Sequence, residues 1–158
     1  MDAAYNLARW LTKNDQDADD VVQESYLRAL RFYSGFRGGD PRAWLLAIVR
    51  NTCYTWMRQN RMKETITEFN DELHGAASGA PTPETILIEQ LNAELLHASI
   101  EQLPVEFREV LVLRELEGMS YKEIASIVSV PVGTVMSRLS RARKQLQDML
   151  TEHTDKED

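Results

Sequence analysis

A chain of 158 residues with 43% hydrophobic content is expected to fold as one ordinary domain or two small ones. No apolar run reaches the roughly 18 residues of a membrane span, the opening MDAAYNLARW has no signal-peptide pattern, and the lone Cys53 excludes a disulfide framework and fits a reducing cytoplasm. The net charge of −7 argues against a nucleic-acid partner only as a total, because charge is segregated: 10 Lys/Arg against 7 Asp/Glu in residues 1–63, none against 8 in 64–103, and 7 against 6 in 104–150.

Tyr5, Leu7, Ala8, Trp10 and Leu11 predict an opening helix that ends near Lys13 and Asn14. A second helix is expected from Asp15 to about Tyr33. Asn14 or Asp15 can cap it, and Asp17, Asp19 and Asp20 sit where the helix dipole favours negative charge. Val22, Tyr26, Ala29 and Leu30 form its expected buried stripe. The acids resemble a calcium loop only in part. The sixth position is Asp20 instead of Gly and the twelfth is Tyr26 instead of Glu, so calcium is rejected.

GFRGG (35–39) reads as a turn, with Asp40 as N-cap and Pro41 as first residue of a third helix running to about Arg61. Trp44, Leu45, Ile48, Thr52 and Trp56 fall on one side. Arg50, Tyr54, Arg58 and Arg61 fall on another, an expected exposed stripe of cations interleaved with an aromatic ring. Such a stripe suits a nucleic-acid strand, with cations for phosphates and π faces for bases; a plain solvated basic face fits the pattern as well. Residues 64–83, containing HGAASGAPTP, read as an acidic flexible linker and a domain boundary.

A helix is expected from Glu84 to Leu103, with Ile88, Leu91, Leu95 and Ala98 on one line. Pro104 opens another, in which Phe107, Val110, Leu111, Leu113 and Leu116 are expected to be buried, and Gly118 ends it. SYKEIASIVSVPVGTVMSRLSRARK (120–144) is a helix-turn-helix. Ser120 and Glu123 form a capping box, and the first helix breaks at Ser129-Val130-Pro131. Val132, Val135, Leu139, Ala142 and Leu146 recur on the buried side of the second helix. Thr134, Ser137, Arg138 and Arg141 lie opposite, and no acid occurs between Pro131 and Gln147. Such a basic second helix is the form that enters a major groove; a helical hairpin with a solvated basic face is the alternative. Residues 151–158 form a polar tail expected to fray.

No catalytic constellation is found, and the chain is read as a non-enzyme. His74, His97 and His153 are scattered without ligand partners, no phosphate-cradling glycine loop is present, and Cys53 has no nearby histidine. No metal, cofactor or small-molecule substrate is expected. The fold class is all-α: two small helical domains joined by the acidic linker, the second a helix-turn-helix.

Three stretches, in order, resemble the bacterial extracytoplasmic-function sigma factors, the compact specificity subunits of RNA polymerase. DADDVVQESYLRAL (17–30) resembles the family's core-polymerase-binding helix. FRGGDPRAWLLAIVRNT (36–52) resembles its promoter-opening segment, and residues 103–146 resemble its C-terminal domain nearly position for position. The resemblance implies a region 2 over residues 1–63, lacking the family's usual helix ahead of Tyr5, and a region 4 over residues 84–150. It implies that Asp20, Gln23 and Glu24 dock on core RNA polymerase. The loop Arg37 to Asp40 and Asn51 would capture a flipped base of the −10 element, and Trp44 would abut the opening duplex. Thr134, Ser137, Arg138 and Arg141 would lie on the helix that reads the −35 element. The helix after Pro104 would meet the polymerase flap. Met136 departs from the Lys or Arg frequent in the family. Promoter DNA and core polymerase are the expected partners, with an anti-sigma factor left open. The rival reading is a stand-alone helix-turn-helix regulator of operator DNA, which accounts for residues 104–150 but not for the stripe on 50–61.

Overall fold

The computed structural model describes residues 2–36, 38–67 and 88–156, and every regular element among them is helical. Helix α1 (Ala3–Thr12) starts where the Asp2 carboxylate accepts the Ala4 N–H. Helix α2 (Asp15–Arg31) starts at Asn14, whose side chain accepts from the Asp17 N–H, and a short 3₁₀ turn over Tyr33–Gly35 follows it. Helix α3 (Pro41–Thr67) begins after Asp40, whose carboxylate accepts the Arg42 N–H at 3.0 Å. Gly38 and Gly39 enter it at φ of 86° and 92°, a backbone that residues with a Cβ seldom adopt. The three helices pack around Leu7, Leu11, Val21, Leu46, Val49 and Cys53. Losing one such leucine typically costs about 2–5 kcal/mol.

The second half holds α4 (Ile88–Gln102), α5 (Val105–Leu111) with a π-helical turn (Val112–Leu116), α6 (Tyr121–Val128) and α7 (Val132–Lys156). Gly118 closes the π turn at φ 64°, and the Met119 N–H returns to the Leu113 carbonyl. Arg108 is buried and fastens α4 to α5, donating from Nη1 to the carbonyls of Glu101 and Leu103 at 2.9 and 2.8 Å. The capping box at α6 is complete: the Ser120 hydroxyl accepts the Glu123 N–H, and the Glu123 carboxylate accepts the Ser120 N–H. No described helix is long and apolar enough to cross a membrane.

Several predicted faces are turned from where the apolar pattern put them. In α2 the buried line is Ala18, Val21, Val22 and Ser25; Tyr26 and Leu30 are exposed and Ala29 is half-buried. The Ser25 hydroxyl donates to the Val21 carbonyl at 2.7 Å, so a polar residue enters the core without loss. In α3 the small residue Ala43, with Leu46, Val49 and Cys53, makes the closest approach; only Thr52 of the expected set is fully buried, while Trp44, Leu45, Ile48 and Trp56 stay half-covered. In α4 the buried residues are Ser99 and Ile100, Ala98 is exposed, and Ile88 and Leu91 lie outside the described side chains. Phe107 is half-buried; Leu116, on the last turn before Gly118, and Val132, at the start of α7, are exposed. Helix α7 runs to Lys156, through most of the stretch expected to fray. The linker over 64–83 falls largely outside the described residues.

The two helical halves pack on each other. One core cluster runs from Ala4, Leu7 and Ala8 to Val110, Ile124, Ile127, Val135 and Leu139. Trp10 of α1 lies against His97 of α4 with ring centroids 4.4 Å apart.

Candidate nucleic-acid interface

The spacing of Arg50, Tyr54, Arg58 and Arg61 places them on one flank of α3, and the structure brings all four to a single cleft of about 560 Å³. Asn51 shares it, with its side-chain carbonyl 3.4 Å from Nη1 of Arg50. The expected exposed stripe is corrected at its N-terminal end. Arg50 and Tyr54 are half-buried because α5 lies across them; Asn51, Arg58 and Arg61 are exposed. The Arg50 guanidinium sits 3.9 Å from the centre of the Tyr54 ring. It also donates from Nε and Nη2 to the two oxygens of Glu109, at 2.9 and 3.2 Å. Burial pushes the Tyr54 hydroxyl up, and the nearby Glu109 carboxylate adds to the shift. Cys53, one turn inside, is pushed up to about 12, chiefly by burial, and is a packed residue with no nucleophilic character.

Asp40 and Trp44 line a second cavity of about 440 Å³ with Phe36, Gly38 and Gly39. Trp44 leans on Phe36 with centroids 5.1 Å apart, so one edge of its ring stays open to the cavity. Arg37 lies outside the described residues. The opposite wall belongs to α6, through Lys122, Glu123 and Ser126.

On α2, Asp20 and Glu24 line a groove against α3, facing Thr52, Thr55 and Gln59, while Gln23 is exposed outside it. Glu24 has a basic partner within its own helix, Arg28 at 3.2 Å. Such an exposed i,i+4 pair is worth at most about 1 kcal/mol and leaves the carboxylate available.

On α7, Val135, Leu139 and Ala142 are fully buried, which turns the opposite side outward. Ser137 and Arg141 are exposed and Thr134 and Arg138 half-exposed; neither arginine pairs with any described residue. Met136 is exposed beside them. Arg143 is tied instead to Glu115 at 2.7 Å.

Two carboxylates of this region escaped the sequence reading. Glu109 is fully buried, and Glu117 accepts from Asn6 at 3.1 Å and from Arg42 at 3.2 Å. A signal for Glu109 existed. In VEFREVLVL helical spacing puts it on one face with Val105, Val112 and Leu113, where a charge needs a partner.

Fold and surfaces together define an all-α protein with a helix-turn-helix in one half and a basic-aromatic cleft in the other. Residues 1–62 match the family described as Sigma-70 region 2, and residues 93–146 the family described as Sigma-70, region 4. The chain therefore belongs to the sigma-70 family, in its extracytoplasmic-function (ECF) group. It is 34% identical over 153 residues to the ECF RNA polymerase sigma factor SigE of Mycolicibacterium smegmatis, covering 97% of this chain and 59% of that protein. It is 37% identical over 139 residues to the ECF RNA polymerase sigma-E factor of Escherichia coli, covering 84% of this chain and 73% of that one. Among solved structures it is similar to the sigma factor RpoE of Bartonella quintana in complex with the anti-sigma factor NepR. The TM-score is 0.74 at 29% identity, over 94% of this chain and 90% of that one. It is also similar to CnrH in complex with the cytosolic domain of CnrY, with a TM-score of 0.67 at 25% identity, over 95% of this chain and 81% of that one.

Proposed function

We propose that the chain is an alternative sigma factor that binds core RNA polymerase, directs it to particular promoters and assists strand opening. The observation that carries this reading is the presence, in one chain, of two different nucleic-acid surfaces. The cleft on α3 has the cations and ring faces a single strand needs. The outward side of α7 has arginines, without a partner among the described residues, of the kind a duplex groove needs. In this reading residues 1–63 hold the polymerase and the −10 element, 64–83 connect, and 84–150 hold the −35 element.

The roles divide by chemistry. Asp20, Gln23 and Glu24 present an acidic and amide flank to the polymerase. Arg50, Arg58 and Tyr54, with Asn51, meet the opened strand; Trp44 and Asp40, with Arg37 in the adjoining loop, frame the flipped base. Taking a base out of the stack costs a few kcal/mol, more than so small a surface supplies, so polymerase contacts must contribute. The chain catalyses no reaction of its own and acts in the cytoplasm, where the polymerase is. An anti-sigma protein is a further partner class, supported by the similarity to a sigma factor solved with one.

A gel shift with and without core polymerase tests the reading. Promoter retention only when polymerase is present is the expected result. Tight operator binding by the free chain would favour the stand-alone regulator instead.

A further inference from the structure

We propose that the cavity walled by Lys13, Arg61 and Arg108 is a binding site for a small nucleotide, a nucleoside di- or triphosphate. The inference stands apart from the promoter-binding reading, since it uses neither the assignment of the α3 cleft nor that of α7.

Three observations carry it. First, a cavity of about 400 Å³ lies where the end of α1, the C-terminal part of α3 and the α4–α5 turn meet. That volume falls within the roughly 300–1,000 Å³ of small-molecule sites. Second, every charged side chain that lines it is a cation. Lys13, Arg61 and Arg108 converge there beside the Asn60 amide, and no carboxylate among the described residues joins them. Third, Arg108 is only 4% exposed and lacks a counter-ion. Its Nη1 donates to the neutral carbonyls of Glu101 and Leu103, and its Nε meets no acceptor among the described residues. A buried charge is costly unless it is paired, so this guanidinium calls for an anion.

The acids nearby are already engaged. Glu101, whose field reaches both Lys13 and Arg108, pairs with His97 at 3.0 Å and with Arg9 at 3.6 Å. Glu109 is held by Arg50 at 2.9 Å. Lys13 is exposed at the mouth, and its ammonium is held below its ordinary value, first by partial burial and then by the charge of Arg108. An anion between these two cations relieves both.

The lining selects the anion. A phosphate monoester carries about −1.5 to −2, short of three cations, whereas a di- or triphosphate matches them. Half-buried Trp56 and buried Leu103 supply an apolar wall with a ring on which a base can stack. The ligand is thus a phosphate chain carrying an aromatic group, which is a nucleotide.

The test is equilibrium dialysis of the full chain against tritiated ATP and GTP, with inorganic phosphate and adenosine as competitors. Saturable binding of at least one nucleotide is expected, with little displacement by either competitor. Lys13→Asn removes a cation and keeps a residue suited to the left-handed backbone there, φ 64°. It is expected to weaken binding about tenfold, as loss of one charged hydrogen bond would. Arg61→Gln, on the exposed rim, is expected to do the same and guards against a defect at the Lys13 turn. No detectable binding at millimolar nucleotide overturns the proposal, and so does binding that both variants leave unchanged. Displacement by equal inorganic phosphate overturns the nucleotide assignment. Arg58 lines the α3 cleft and not this cavity, so a loss in Arg58→Gln as large as in Lys13→Asn places the nucleotide in that cleft and also overturns it.

Discussion

Arg143 of α7 reaches the Glu115 carboxylate on the π turn at 2.7 Å, and this pair separates the arginines of the helix-turn-helix into two kinds. Arg143 helps seat the helix on its own domain, while Arg138 and Arg141 meet no described partner. Arg143→Ala is expected to cost little stability, about 0.2–1 kcal/mol, since both partners are about half exposed. Arg138, nearer the helix start, is expected to read a base. Arg138→Ala should cost about 1–3 kcal/mol of promoter affinity and relax preference at one −35 position. Arg141→Ala should lower affinity evenly for all sequences and reduce the salt slope by about one. Met136→Arg should tighten −35 binding. Selection from a randomised −35 library reads all three, and an unshifted selection with unchanged yield would remove this helix from promoter reading.

Docking on polymerase is expected to depend on the flank of α2. Asp20→Ala with Glu24→Ala should weaken co-purification with core polymerase and leave helicity unchanged, because both side chains are exposed and the Glu24–Arg28 pair is a weak surface contact. Circular dichroism with a pull-down separates the two effects. Undiminished pull-down would contradict the assignment.

Strand opening is expected to depend on the loop and α3. Arg37→Ala, Asn51→Ala and Trp44→Ala should each lower open-complex formation more than closed-complex binding, seen as loss of permanganate-reactive thymines. Removing a fully buried Trp typically costs about 3–5 kcal/mol. Trp44 is only partly covered by Phe36, so Trp44→Phe keeps the fold and isolates the ring's role. Normal reactivity in every variant would return Trp44 to a packing role.

Two carboxyls link stability to acid. Glu123 is held below the ordinary 4.5, first by the Ser120 backbone N–H and then by its hydroxyl. Asp15 is held below the ordinary 3.8, first by its hydrogen bond from Arg9 and then by that from Tyr5. A folded-state pKa below the unfolded one contributes stability above the unfolded value, and that contribution is lost as pH falls through the folded value. The melting temperature is therefore expected to fall as pH drops below about 4.5. Glu123→Gln keeps a residue fit for the capping box and should remove part of that dependence. An unaltered pH slope in this variant would contradict the link.

Local chemistry was legible in the sequence where one residue decides one feature: Asn14, Asp40 and Ser120 each cap the helix they were expected to cap. The helix-turn-helix followed for the same reason, since Val135, Leu139 and Ala142 fix its buried side by spacing alone. The rotation of α2 was not legible, because Ser25 enters the core by satisfying its hydroxyl on its own helix while the apolar Leu30 is left exposed. The cover over Arg50 was hidden for another reason. It depends on Glu109, fifty-nine positions away, and periodicity within one helix says nothing about contacts at that distance.

Run-off transcription with purified core polymerase on genomic fragments tests the central claim most directly. The account predicts discrete transcripts that appear only when chain and core polymerase are both present, starting downstream of a shared pair of −35 and −10 sequences, and lost with Asp20→Ala/Glu24→Ala. Transcripts that core polymerase yields equally without the chain, or none from any fragment while the folded chain binds duplex DNA unaided, would contradict it.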